Sequence, residues 1–117
     1  MTVSNYQNLI VWRKAMNLAK EVYAIAKLLP KEELYALSDQ MRRSVVSIPS
    51  NIAEGCGRES KTQMTNFLRI VKGSAAELET QLLLCKEIGF VDEMKIKAPL
   101  AMLDEISRMI RSLMQWK

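Results

Sequence analysis

The chain has 117 residues, 49% of them apolar and 26% charged, with 17 cations, 13 anions, two cysteines and no histidine. That is the size and balance of one globular domain, 1–117, with a core of its own. The lack of histidine excludes Ser-His-Asp and Cys-His nucleophiles, imidazole bases and His-ligated metals, and Cys56 and Cys85 form no CxxC pair.

The first helix is expected over 9–29. Val11, Ala15, Leu18, Val22, Ile25 and Leu29 step by threes and fours, and Trp12, Met16, Ala19, Tyr23 and Ala26 run beside them. Two adjacent stripes make one wide apolar face, suited to a helix packed against two neighbours. Pro30 ends it, because a residue before proline resists helical angles.

The second helix is expected over 33–55, with the core line Leu34, Leu37, Met41, Val45, Ile48, Ile52 and with Pro49 inside it. Gly55-Cys56-Gly57 should close it, since glycine readily adopts left-handed closing geometry. Gln40, Ser44, Ser47 and Asn51 fall on one flank, while Arg43, Ser50 and Glu54 face away from the core line. That polar face suits a phosphate backbone, another subunit or a close helix neighbour.

The third and longest helix is expected over 60–88, with Ser60 as N-cap and Gly89-Phe90 closing it. Met64, Phe67, Val71, Ser74, Leu78, Leu82 and Cys85 form its expected inner line. Its far side is apolar too, through Gly73, Ala76, Thr80, Leu83 and Leu84. A helix apolar nearly all round is usually covered on both sides, so this second face is expected to be an interface between copies of the chain. Gly73 within a helix suggests close backbone approach there.

The fourth helix is expected over 93–115, capped by Asp92 and carrying Ile96, Leu100, Leu103, Ile106, Ile110 and Leu113; Pro99 could delay its regular start. Short connections make successive helices antiparallel. The expectation is an all-α, up-down-up-down antiparallel four-helix bundle.

Charge is distributed unevenly. Residues 1–39 hold five cations and four anions, and residues 73–117 hold six and seven. Residues 40–72 hold Arg42, Arg43, Arg58, Lys61, Arg69 and Lys72 against Glu54 and Glu59 alone, so the whole excess of +4 sits in the middle third. These six cations are the candidate nucleic-acid contacts. With little aromatic interleaving, such binding should be electrostatic and poor at reading sequence. No Walker or dinucleotide loop, Ser-Lys dyad pattern or mixed carboxylate cluster occurs. No catalysis, cofactor or metal is therefore expected. Apolar runs stop far short of a membrane span, and no signal peptide is seen. The chain is expected in the cytoplasm with its thiols reduced, and no membrane is expected among its partners.

The quoted residues also carry a family resemblance. They are Leu9-Ile10-Val11-Trp12-Arg13-Lys14-Ala15, Gln40-Met41-Arg42-Arg43-Ser44, the run from Ser47 to Gly55 (SIPSNIAEG), Gly57-Arg58, and Gly73-Ser74 with Glu77-Leu78-Glu79-Thr80. This pattern resembles the small bacterial proteins encoded in intervening sequences of 23S ribosomal RNA genes. The accessory variability protein of diversity-generating retroelements is in the same family. The resemblance covers nearly the whole chain. It implies a four-helix protomer in a ring-shaped homopentamer with a basic surface. In the retroelement branch it also implies nucleic-acid binding and a reverse transcriptase partner. By position it singles out Arg42, Arg43 and Arg58. The expected function is a non-enzymatic, homo-oligomeric accessory protein that binds RNA or DNA. The alternative is a scaffold that docks a protein such as a reverse transcriptase without touching nucleic acid.

Overall fold

The computed structural model describes residues 5–115; the outermost residues of the expected 1–117 domain lie outside that range. A 3-10 turn at Tyr6–Asn8 precedes four helices: α1 Ile10–Ala26, α2 Leu37–Cys56, α3 Lys61–Ile88 and α4 Glu93–Gln115. Each helix packs on its predecessor, and α4 returns to α1, closing an all-α, up-down-up-down bundle. The antiparallel sense shows in the cross-helix pairs Met41 with Cys85, Ser47 with Ser74, and Lys14 with Glu105. At about 1.5 Å per residue, α3 alone spans about 42 Å, nearly the 45 Å length of the molecule.

The core comes from the predicted stripes. Val11, Ala15, Leu18, Val22 and Ile25 are buried on α1; Met41, Val45, Ile48 and Ile52 on α2; Ile96, Leu103, Ile106 and Ile110 on α4. On α3 the buried line is Met64, Leu68, Val71, Ala75, Leu78, Leu82 and Cys85. Phe67 and Ser74, expected on that line, are only half-buried. They flank the α2 side of α3, where Leu68 and Ala75 take the centre. No helix among the described residues is long and apolar enough to cross a membrane.

The helix ends depart from expectation in instructive ways. α1 stops at Ala26, three residues early, because Lys27 to Leu29 tighten into a turn with Leu28 N–H donating to Ile25 O at 2.9 Å. The carbonyl of Ala26 is then satisfied from α2, by the buried Ser38 hydroxyl at 3.2 Å. α2 starts at Leu37 rather than 33. Lys31–Glu33 form a separate 3-10 turn, and Ala36 sits outside helical space at φ −122°, ψ −107°. Leu34 is consequently exposed rather than core. Gly57 closes α2 in right-handed geometry, φ −81°, not the left-handed form expected. Gly89 does adopt the left-handed form, φ 91°, after α3. Ser60 caps α3 by accepting from Gln63 N–H at 3.0 Å, and Asp92 caps α4 by accepting from Lys95 N–H at 3.1 Å. That cap and the buried Ile96 hold the first turns of α4, so the helix starts at Glu93 and takes Pro99 into its interior as a buried residue.

Cys56 and Cys85 are buried free thiols. Burial raises both pKa values, that of Cys85 to about 11 with the charge of Glu33 adding to the effect. Both groups are therefore neutral near pH 7.

Candidate nucleic-acid and assembly surfaces

The densest polar arrangement is the seam between α2 and α3. Ser44 Oγ lies 2.6 Å from Glu77 Oε1 and 3.0 Å from the Gln81 side-chain amide, and also 2.9 Å from Gln40 O. One hydroxyl carries one proton. Ser44 therefore donates to one acceptor at a time, the Glu77 carboxylate being the nearest, with Gln40 O and Gln81 Oε1 beside it. One turn on, Ser47 and Ser74 share a hydrogen bond of 2.8 Å, and Asn51 Nδ2 donates to Ser47 O at 2.8 Å. A further turn on, a Cβ placed on buried Gly55 would stand 3.1 Å from Phe67 Cβ and 3.2 Å from Met64 O. Small residues at 44, 47, 55 and 74 thus let α2 and α3 approach closely. The polar flank Ser44, Ser47 and Asn51 faces α3 within the protomer, and of that flank only Gln40 is exposed. The residues that make the sequence pattern distinctive are mostly spent inside this seam.

The six candidate cations do not form one cluster. Arg42 and Arg43 sit in the first half of α2 and share Asp39, at 3.8 and 2.9 Å. Arg42 Nη2 also donates to Leu34 O at 3.0 Å. About 20 Å further along the helix axis, Arg58 pairs with Glu54 at 3.0 Å and lies 4.7 Å from the centroid of the Phe67 ring. Lys61, Arg69 and Lys72 are exposed on the N-terminal half of α3. None of these three has a carboxylate within 4.0 Å among the described residues; Arg69 donates only to Asn66 Oδ1, at 3.0 Å. Lys61, Thr62, Thr65 and Arg69 line a shallow depression there.

The outer face of α3 therefore divides along its length. Its N-terminal half is basic. From Gly73 onward the face carries Gly73, Ala76, Thr80, Leu83 and Leu84, all exposed, alongside the exposed carboxylates of Glu79 and Glu87; Ile88 is exposed beside them, and exposed Ile70 falls within the basic stretch. A Cβ placed on Gly73 would meet nothing within 4 Å, so the close approach expected of it does not occur within the chain. Thr80 Oγ1 is turned back onto Ala76 O at 2.9 Å, which hides its polarity from that face. Leu83 also borders a groove with Met94, Lys97 and Leu100 of α4.

Sequence reasoning missed one feature: a notch between α1 and α2 lined by Tyr23, Asp39, Arg42, Arg43, Val46 and Ser47. Tyr23 reads as core in the α1 stripe, and only the rotation of α1 in the bundle turns it outward.

A crystal structure of a Bacteroides thetaiotaomicron VPI-5482 protein of unknown function, described as from the S23 ribosomal protein family, superimposes with a TM-score of 0.84. It is 24% identical, and the match covers 92% of this chain and 100% of that one. At that identity the likeness speaks for the fold. No curated protein sequence matches this chain. The profile of a family described as 23S rRNA-intervening sequence protein matches residues 7–112. That span runs from the first 3-10 turn almost to the end of α4, taking in both the α2–α3 seam and the divided outer face, and on it the chain belongs to the 23S rRNA-intervening sequence protein family.

Proposed function

We propose that this protein is a non-enzymatic, cytoplasmic, homo-oligomeric accessory protein that binds nucleic acid through the basic half of α3 and the arginines of α2. The observation that carries this reading is the set of exposed cations Lys61, Arg69 and Lys72, which no carboxylate of the described chain neutralises. Arg42, Arg43 and Arg58 add to it. Their surface pairs with Asp39 and Glu54 are worth little, about 0–1 kcal/mol each, and can be exchanged for phosphate contacts that a guanidinium fork suits better. Copies of the chain associate through Gly73, Ala76, Thr80, Leu83 and Leu84, and five copies in a ring is the number the family resemblance implies. Assembly would repeat the basic half of α3 and raise affinity through effective concentration.

The test is binding of labelled RNA and DNA across a salt series. Affinity is expected to fall steeply with salt, and replacing Lys61, Arg69 and Lys72 together by alanine, or Arg42, Arg43 and Arg58 together, should flatten that dependence. Salt-independent binding, or unchanged binding in both triple variants, rejects the assignment. Retention of a protein partner, such as a reverse transcriptase, after nuclease treatment would support the scaffold reading instead.

A further inference from the structure

Tyr23, 40% exposed, lines the α1–α2 notch with the Arg42–Arg43 pair, and Tyr35 is adjacent in the chain to an Arg42 contact. Tyr35 is 89% exposed in the turn entering α2, next in sequence to Leu34, whose carbonyl accepts from Arg42. Tyr6, by contrast, packs edge-on against Trp12 at 5.3 Å. A ring as open as Tyr35 covers almost none of its own chain, so packing does not account for it, and exposed aromatic surface beside cations has a specific use. Guanidinium forks hold phosphates, and aromatic faces stack on bases of any identity. A duplex offers the phosphates but keeps its base faces stacked. Only an unpaired strand can use both.

We propose that the corner formed by Tyr23, Tyr35, Arg42 and Arg43 binds unpaired nucleotides, Tyr35 stacking a base while the arginines hold adjacent phosphates. This rests on the nucleic-acid reading above and adds the state of the strand. Asp39 acts as an internal competitor, since its carboxylate occupies the same two guanidinium groups at 3.8 and 2.9 Å.

The experiment measures affinities of the full chain for oligo(rU), oligo(dT) and a DNA duplex of equal length, about 16 nucleotides. The two single strands distinguish RNA from DNA as the source of the unpaired bases. Tyr35→Ala should weaken single-strand binding about 5- to 100-fold, leave duplex binding unchanged, and be rescued by Tyr35→Phe. Asp39→Asn should tighten binding of all three. Unchanged melting temperature checks that each variant folds. Single strands bound no better than duplex, or unaffected by Tyr35→Ala and Tyr23→Ala, overturn the proposal while leaving the nucleic-acid reading in place. A wild-type chain that binds none of the three overturns both. Loss of a nuclease-resistant protein partner in Tyr35→Ala, with nucleic-acid affinity intact, assigns the corner to a protein and overturns the proposal.

Discussion

The two sides of α3 solve different problems. Toward α2 it presents Ser74, Glu77 and Gln81, each matched to a polar partner, and packs against a glycine on which a Cβ would stand only 3.1 Å from Phe67 Cβ and 3.2 Å from Met64 O. Away from the bundle, from Gly73 onward, it presents the exposed residues Gly73, Ala76, Thr80, Leu83 and Leu84, and a Cβ on Gly73 would meet open space. Directed hydrogen bonds fix one register between two helices, because a shift by one residue would leave buried groups such as Gln81 without partners. An apolar face has no such internal demand and gains stability from whatever apolar surface covers it. The sequence character that looked most functional belongs to the first side. The second side is the one left exposed in the single chain.

The sharpest way to break this comparison is to charge the outer face. Leu83→Glu with Leu84→Glu is expected to abolish assembly, leaving a particle near the chain mass of 13.4 kDa in sedimentation. Helix content and protomer melting should stay close to wild type, since both leucines are exposed in the single chain. Wild-type protein that already sediments as one chain would remove the reason for the face.

The two glycines sharpen it further. Gly55→Ala adds a methyl 3.2 Å from a backbone oxygen that cannot easily withdraw. It should cost about 1–2 kcal/mol in urea unfolding, overpacking outweighing the gain in helix propensity. Ser44→Ala removes the shared centre of the Glu77–Gln81 network and should cost about 1–2 kcal/mol, mostly through the unpaired Gln81, which is 6% exposed. Gly73→Ala meets open space in the chain and should stabilise the protomer by about 0.5–1 kcal/mol. If copies approach closely at that point, the same variant will assemble less tightly, which sedimentation across a concentration series reads directly.

Much of the fold was legible from spacing. The first α1 stripe and most of the α2 and α4 stripes are buried, while Met16, Tyr23 and Leu34 are exposed and Trp12, Ala19, Leu100 and Leu113 only half-buried; Ser60, Asp92 and Gly89 mark real helix ends. The errors fall where a local pattern has two readings. Leu34 fits the α2 stripe by spacing, yet the turn at Lys31–Glu33 and the backbone at Ala36 detach it from the helix. Phe67 and Ser74 sit one position round the helix from Leu68 and Ala75, and only the direction of the α2 neighbour decides which pair is central. For the surfaces, the count of cations was plain. Their division into an Asp39-held pair, an Arg58–Glu54 pair and three unneutralised groups on α3 depends on side-chain geometry.

What the sequence by itself determined is the set of four amphipathic helices, their order and the ends marked by Ser60, Gly89 and Asp92. These follow from interactions a few residues apart, which chain spacing encodes directly. The tertiary structure alone decided that the Ser44–Ser47–Asn51 flank is an internal seam, that Gly55 and not Gly73 is the point of close approach within the chain, and that Tyr23 lines a notch with two arginines. Those relations join residues on different helices. They are set by the rotation and register of each helix against its neighbours, to which local periodicity is blind.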